Sequence, residues 1–132
     1  MRVFLDTNVL VSAFATRGIC EDVLREVLAS HELVVSRPLM TELEQVLRRK
    51  LGMPKALVSE VLEFFKQDPH LYEAGTLPAV KIRDRADLKM LSSAIEGDAE
   101  IFVTGDKELL ALRKVESLQI LSPRAFWELL KK

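Results

Sequence analysis

The sequence predicts an α/β fold: a central parallel sheet of four to five strands flanked by helices on both faces. Three observations carry this. Short runs of apolar, strand-forming residues alternate with longer stretches of helical periodicity. Each pair of consecutive strands has room between them for a helix, the connection that parallel strands require. The chain shows no internal repeat, low-complexity tract or linker.

The elements follow in order. Val3–Leu5 is a short apolar strand, Asn8–Ala15 a helix, and Cys20–Ser30 a second helix with Val23, Leu24, Val27 and Leu28 on one face. Leu33–Val35 is a strand. Pro38–Leu51 is a helix with proline in its first turn and Gly52 past its end. Pro54–Gln67 carries Leu57, Val58, Val61, Leu62 and Phe65 at helical spacing, and His70–Glu73 is a weak strand. Arg85–Gly97 is a helix, Ile101–Val103 a strand, Asp106–Leu112 a short helix, Leu118–Leu121 a last strand and Pro123–Leu130 a closing helix.

Composition narrows the possibilities. With 132 residues, of which 48% are apolar, the expectation is a single domain over residues 1–132 with a sizeable core. No apolar run approaches membrane-spanning length. The start, "MRVFLDT", lacks a secretory signal, and the one cysteine, Cys20, excludes an internal disulfide. Both point to the cytoplasm. Only two histidines, His31 and His70, argue against a His-rich zinc site. The formal charge of −1 is not that of a protein coated in positive charge for nucleic acid. If several acids gather around bound metal, however, the remaining surface is mildly basic.

The acids are the candidates for chemistry. In open parallel sheets ligands bind at the carboxyl edge of the strands. Asp6 ends the first strand and Asp106 lies just beyond another, in "IFVTGDKELL". Either could instead cap the helix that follows it. Asp84 and Asp87, in "RDRADLKML", have the spacing of a reciprocal capping pair. Yet Asp87 falls on the same helical face as Leu91, Ala94 and Ile95, which directs a carboxylate inward. Glu42 and Glu44 flank opposite borders of the stripe made by Leu39, Leu43, Val46 and Leu47, and periodicity does not choose between them. Carboxylates brought together repel and hold on to protons unless a cation sits among them. A pocket of oxygens alone favours Mg²⁺ or Mn²⁺.

The combination "FLDTNVLVSAF", "VVSRPLMTELEQVL" and "DRADLKMLSSAIEGDAEIFVTGDKELLAL" resembles the PIN-domain nucleases across the whole chain. It is most similar to the VapC-like toxins of toxin–antitoxin pairs. The resemblance implies an acidic quartet of Asp6, Glu42, Asp87 and Asp106 that binds Mg²⁺ or Mn²⁺. It selects Glu42 over Glu44. Asn8, Ser36 and Thr104 match polar positions that line the same pocket, and Asp84 stands as an outer helper. The resemblance further implies hydrolysis of RNA, a cognate antitoxin and a homodimer. The chain has Asp84-Arg85 where close relatives commonly have Asp-Pro, and Leu88 where they often carry a further acid.

Arg17 and Lys107 are candidate RNA contacts. The run Arg48, Arg49, Lys50 fits the negative end of a helix dipole before it fits RNA. Trp127, with Phe126, Leu129 and Leu130, reads as core or subunit interface rather than a base platform. Two other readings compete. A haloacid-dehalogenase-like phosphatase needs a second Asp two positions after the first, where this chain has Asn8. A non-catalytic interaction module would use the same acids as caps and surface charges.

Overall fold

The computed structural model describes residues 1–67 and 70–132. Its strands are β1 (Arg2–Leu5), β2 (Glu32–Leu33), β3 (Ile101–Val103), β4 (Lys114–Val115) and β5 (Leu118–Leu121). Its helices are α1 (Thr7–Ala15), α2 (Ile19–Ser30), α3 (Arg37–Gln45), α4 (Lys55–Phe65), α5 (Arg85–Glu96), α6 (Lys107–Leu110) and α7 (Pro123–Leu130). Among the described residues the sheet has five strands in the order β2-β1-β3-β5-β4. β1, β2, β3 and β5 run parallel, as the alternation of elements predicts.

β1 and β3 form the centre. Phe4 faces Phe102 in register, and their rings stack at 5.0 Å. Every residue of β3, and all of β1 after Arg2, is buried, the pattern of strands covered on both sides. Helices α1, α2 and α7 pack together, while α3 packs on both α1 and α5. Phe126 of α7 is fully buried and Trp127 partly so, with the Lys131 ammonium 4.4 Å from the centre of its ring.

The structure departs from the sequence-based expectations in four places. The expected strand His70–Glu73 is a single bridge between Tyr72 and Ser36. The strand expected at Leu33–Val35 is Glu32–Leu33, although the Val34 N–H still donates to the Val3 carbonyl at 2.8 Å. The helix expected through Leu51 is α-helical only to Gln45 and continues as a π turn over Val46–Lys50, closed by Leu51 N–H on the Val46 carbonyl. The unexpected β4 is an antiparallel edge strand joined to β5 by a tight hairpin, with Val115 opposite Leu118. Its turn residue Glu116 has φ 54°, a conformation favoured by Gly or Asn, so no turn signal stands in the sequence.

Candidate active site

The strand order places a crevice between β1 and β3. β2 lies to one side of β1, and β3 and β5 lie to the other, so the connections diverge there. Leu5 faces Val103, so the residues that follow, Asp6 and Thr104, leave the sheet side by side. The Asp6 N–H donates to the Val103 carbonyl at 2.9 Å and extends the pairing by one residue.

Asp6 is buried and both of its oxygens are engaged. Oδ1 accepts from the Thr7 N–H at 2.8 Å, which caps α1, and Oδ2 accepts from the Thr104 hydroxyl at 2.8 Å. Asp6 is therefore both the cap and a member of the crevice. A carboxylate offers about four lone-pair sites, so capacity remains for a cation. Burial pushes the Asp6 pKa up, the two hydrogen bonds hold it down, and Asp106 adds a smaller upward push.

Thr104 also accepts from the Asp106 N–H at 3.0 Å, so one buried hydroxyl joins the two segments. Asp106 caps α6, its Oδ1 accepting from Glu108 N–H at 2.8 Å and Leu109 N–H at 3.3 Å. Capping uses one oxygen, and among the described residues Oδ2 accepts no hydrogen bond.

Asp84 caps α5 through Oδ1, at 2.8 Å from Ala86 N and 3.4 Å from Asp87 N. The reciprocal bond expected from Asp87 does not form, so the Asp87 carboxyl is half-buried and has no hydrogen-bond partner among the described residues. Burial, then Asp84, Asp6, Asp106 and Glu42 in decreasing order, push its pKa up to about 7. Glu42 is half-buried on α3. Burial and Asp6 raise its pKa, while the nearby Thr7 hydroxyl and, more weakly, Lys50 favour the ionised form. Thus Asp6, Glu42, Asp84, Asp87 and Asp106 share one electrostatic environment at the carboxyl edge of the central strands.

The remaining sequence candidates make no hydrogen bond to these five acids. Ser36 is buried and caps α3 through the Leu39 N–H at 3.2 Å, with the Ser93 hydroxyl 2.9 Å away. It joins α3 to α5. Asn8, Arg17 and Lys107 are exposed and make no hydrogen bond to the five carboxylates.

Two contributors were missed in the sequence. Thr7 has a fully buried hydroxyl without a hydrogen-bond partner of standard geometry, close to Glu42. Its neighbours Asp6 and Asn8 obscured it. Lys50 reaches the neighbourhood of Glu42 because the π turn holds one extra residue. Position i+8 then stands near where i+7 would fall on a regular helix. No sequence signal marks that turn.

The donor set fits a hard divalent cation. It consists of oxygens, carries repelling negative charge, and includes the unpartnered Thr7 hydroxyl. Among the described residues no three acids stand close enough to form a finished cage, the spacing that unneutralised carboxylates favour.

A mostly parallel sheet with carboxylates gathered at the edge of its central strands defines an acidic-site α/β domain. Residues 2–108 match the model of the PIN domain, and the chain belongs to the PIN-domain family of nucleases. In structure it is similar to a chain in the crystal structure of VapBC2 from Rickettsia felis bound to a DNA fragment from their promoter. The TM-score is 0.61 and the identity 17%, over 92% of this chain and 98% of that one. At that identity the likeness is one of fold. No curated protein matches the sequence. Among the described residues no helix is long and apolar enough to cross a membrane.

Proposed function

We propose that this PIN-domain protein is a metal-dependent endoribonuclease and the toxin of a toxin–antitoxin pair, acting in the cytoplasm. One observation carries the reading. Acids from segments distant in sequence raise one another's pKa at one sheet edge, with Asp87 near neutrality. Such a cluster is costly to keep for stability alone.

Asp6, Asp87 and Asp106 would hold Mg²⁺ or Mn²⁺, which when bound supplies positive charge opposite the phosphate and lowers the pKa of water. The Thr104 hydroxyl and Thr7 N–H fix the Asp6 carboxylate, so it needs no reorganisation to serve. Glu42 orients the attacking water and accepts a hydrogen bond from it. Water oxygen bonds to phosphorus as the bond to the 3′ oxygen breaks. That oxygen takes up a proton, leaving a 3′-hydroxyl and a 5′-phosphate, the pattern of the family. The chain's own side chains form no covalent intermediate.

A protein partner is supported by apolar surface away from the acids. Phe14 is 44%, Leu28 45% and Phe64 48% exposed, and both phenylalanine rings meet Phe65 edge-on. An antitoxin, a second copy of the chain or both would cover it.

The test is inducible expression of wild type beside Asp6→Asn, followed by sequencing of RNA 5′ ends. Growth arrest with new discrete ends in the wild type alone is the expected result. Identical RNA ends in both strains would overturn the reading.

A further inference from the structure

A cleft of about 410 Å³ runs between α3 and α5 and touches the acidic crevice through Glu42. Pro38, Thr41, Glu42 and Gln45 line one wall. They stand at i, i+3, i+4 and i+7, so one face of α3 presents them together. Ala86, Lys89 and Met90 line the other wall at i, i+3 and i+4 on α5. The volume lies in the range of about 300–1,000 Å³ that small-ligand clefts occupy. Pro38 and Ala86 supply apolar surface suited to the face of a planar group, backed by the buried Met90.

Arg37 and Glu73, which also line the cleft, pair with each other at 2.6 Å, while three further polar groups are uncommitted. Among the described residues the Thr41 hydroxyl and the Gln45 carboxamide make no side-chain hydrogen bond, and Lys89 has no acidic partner within ion-pair distance. Gln45 follows Glu42 by one turn, about 4.5 Å along the axis at the α-helical rise. That is the scale of one nucleotide step away from the acids. The approach to α5 is basic. Lys81, Arg83, Arg85 and Lys89 are all exposed and unpaired among the described residues, and Arg85 and Lys89 are helical neighbours. An uncommitted amide beside apolar surface, with the unpaired Lys89 ammonium on the facing wall, suits a nucleotide better than an acidic or apolar peptide.

We propose that the α3–α5 cleft is the subsite for the nucleotide next to the scissile phosphate, with Gln45 and Thr41 reading its base and Lys89 holding its backbone. The proposal rests on the nuclease reading above and adds to it where sequence preference is set. A carboxamide presents one donor and one acceptor edge, and therefore discriminates among bases.

The test digests a random-sequence RNA pool with purified wild type, Gln45→Ala, Gln45→Glu, Lys89→Ala and Asp6→Asn in Mn²⁺. All 5′ ends are sequenced, and each profile is normalised to its own total. Thermal melts establish that each variant is folded. In the expected result the wild type enriches one base at a fixed position beside the cut. Gln45→Ala lowers that enrichment about five-fold or more. Gln45→Glu, which can only accept, moves the preference to a different base. Lys89→Ala raises KM and leaves the base profile as it was. A Gln45→Ala profile that matches wild type, or a wild type that cuts without base bias, overturns the subsite. Failure of the wild type to cut any RNA overturns the nuclease reading itself.

Discussion

The Thr104 hydroxyl donates to Asp6 Oδ2 at 2.8 Å across 98 residues of sequence. Both groups are buried, so neither can turn to water when the other is removed. Thr104→Val should therefore destabilise the protein by about 1–3 kcal/mol at neutral pH, the usual cost of a stranded buried polar group. Thr104→Ser should recover most of the loss. Urea denaturation of the three proteins checks this, and equal midpoints for wild type and Thr104→Val would refute it.

Asp87 makes the metal-free protein pH-sensitive. Its folded pKa of about 7 lies above its unfolded value, so the folded state binds the extra proton between them. Stability from this group is greatest below the unfolded pKa, falls as pH rises toward neutrality, and levels off above. Asp87→Asn should melt higher than wild type at pH 8 in EDTA, and the gap should close toward pH 4. A gap that is constant across that range would contradict the assignment.

Metal and protons should compete for the same oxygens. Millimolar Mn²⁺ should raise the melting temperature of wild type more at pH 8 than at pH 5.5, because the raised pKa values of Asp6, Glu42 and Asp87 keep more protons bound at the lower pH. The increment should disappear in Asp6→Asn. Equal increments in the two proteins would place the bound ion elsewhere.

The π turn brings Lys50 to bear on Glu42. Replacing it with methionine should shift the Glu42 carboxyl titration upward, as followed by carbon NMR. Arg49→Met supplies the control, because the turn does not deliver that residue's charge to Glu42. Matching shifts in the two variants would remove the role given to the turn.

Gly97 offers a test of packing away from the acids. A Cβ there would stand 2.5 Å from Val34 Cγ1 and 3.0 Å from Tyr72 Cδ2. Gly97→Ala should cost about 1–3 kcal/mol through overpacking. Denaturant titration measures it, and an unchanged midpoint would show that Val34 and Tyr72 can yield.

Much of this architecture was legible because local and global signals agreed. The apolar runs of β1, β3 and β5 and the amphipathic stripes of α2, α4 and α5 required no tertiary knowledge. Asp87 could be picked out from its place on an inward stripe. What escaped depended on the fold. The local sequence offered cap and crevice as alternatives for Asp6, whereas its two oxygens cap α1 and bond Thr104 at the same time. The tie that Ser36 makes between α3 and α5 joins residues 57 apart and left no local signal. Periodicity left Glu42 and Glu44 equal on the two borders of the stripe, and only the family resemblance separated them. The π turn and the β4–β5 hairpin are set by packing and by one residue at positive φ, and neither leaves a mark in the composition.

The pairing of β1 with β3 has a consequence for synthesis on the ribosome. β1 emerges well before β3 and must wait for its central neighbour until the chain through Val103 has been made. Until then Asp6 has neither Thr104 nor Asp106 beside it, and that long-range closure is a slow kind of contact to make. In a nascent chain the acidic edge therefore stays unassembled until β3 and the turn from Thr104 to Asp106 have emerged. Under the ribonuclease reading proposed above, such a delay leaves the transcript that encodes the protein intact while it is being made.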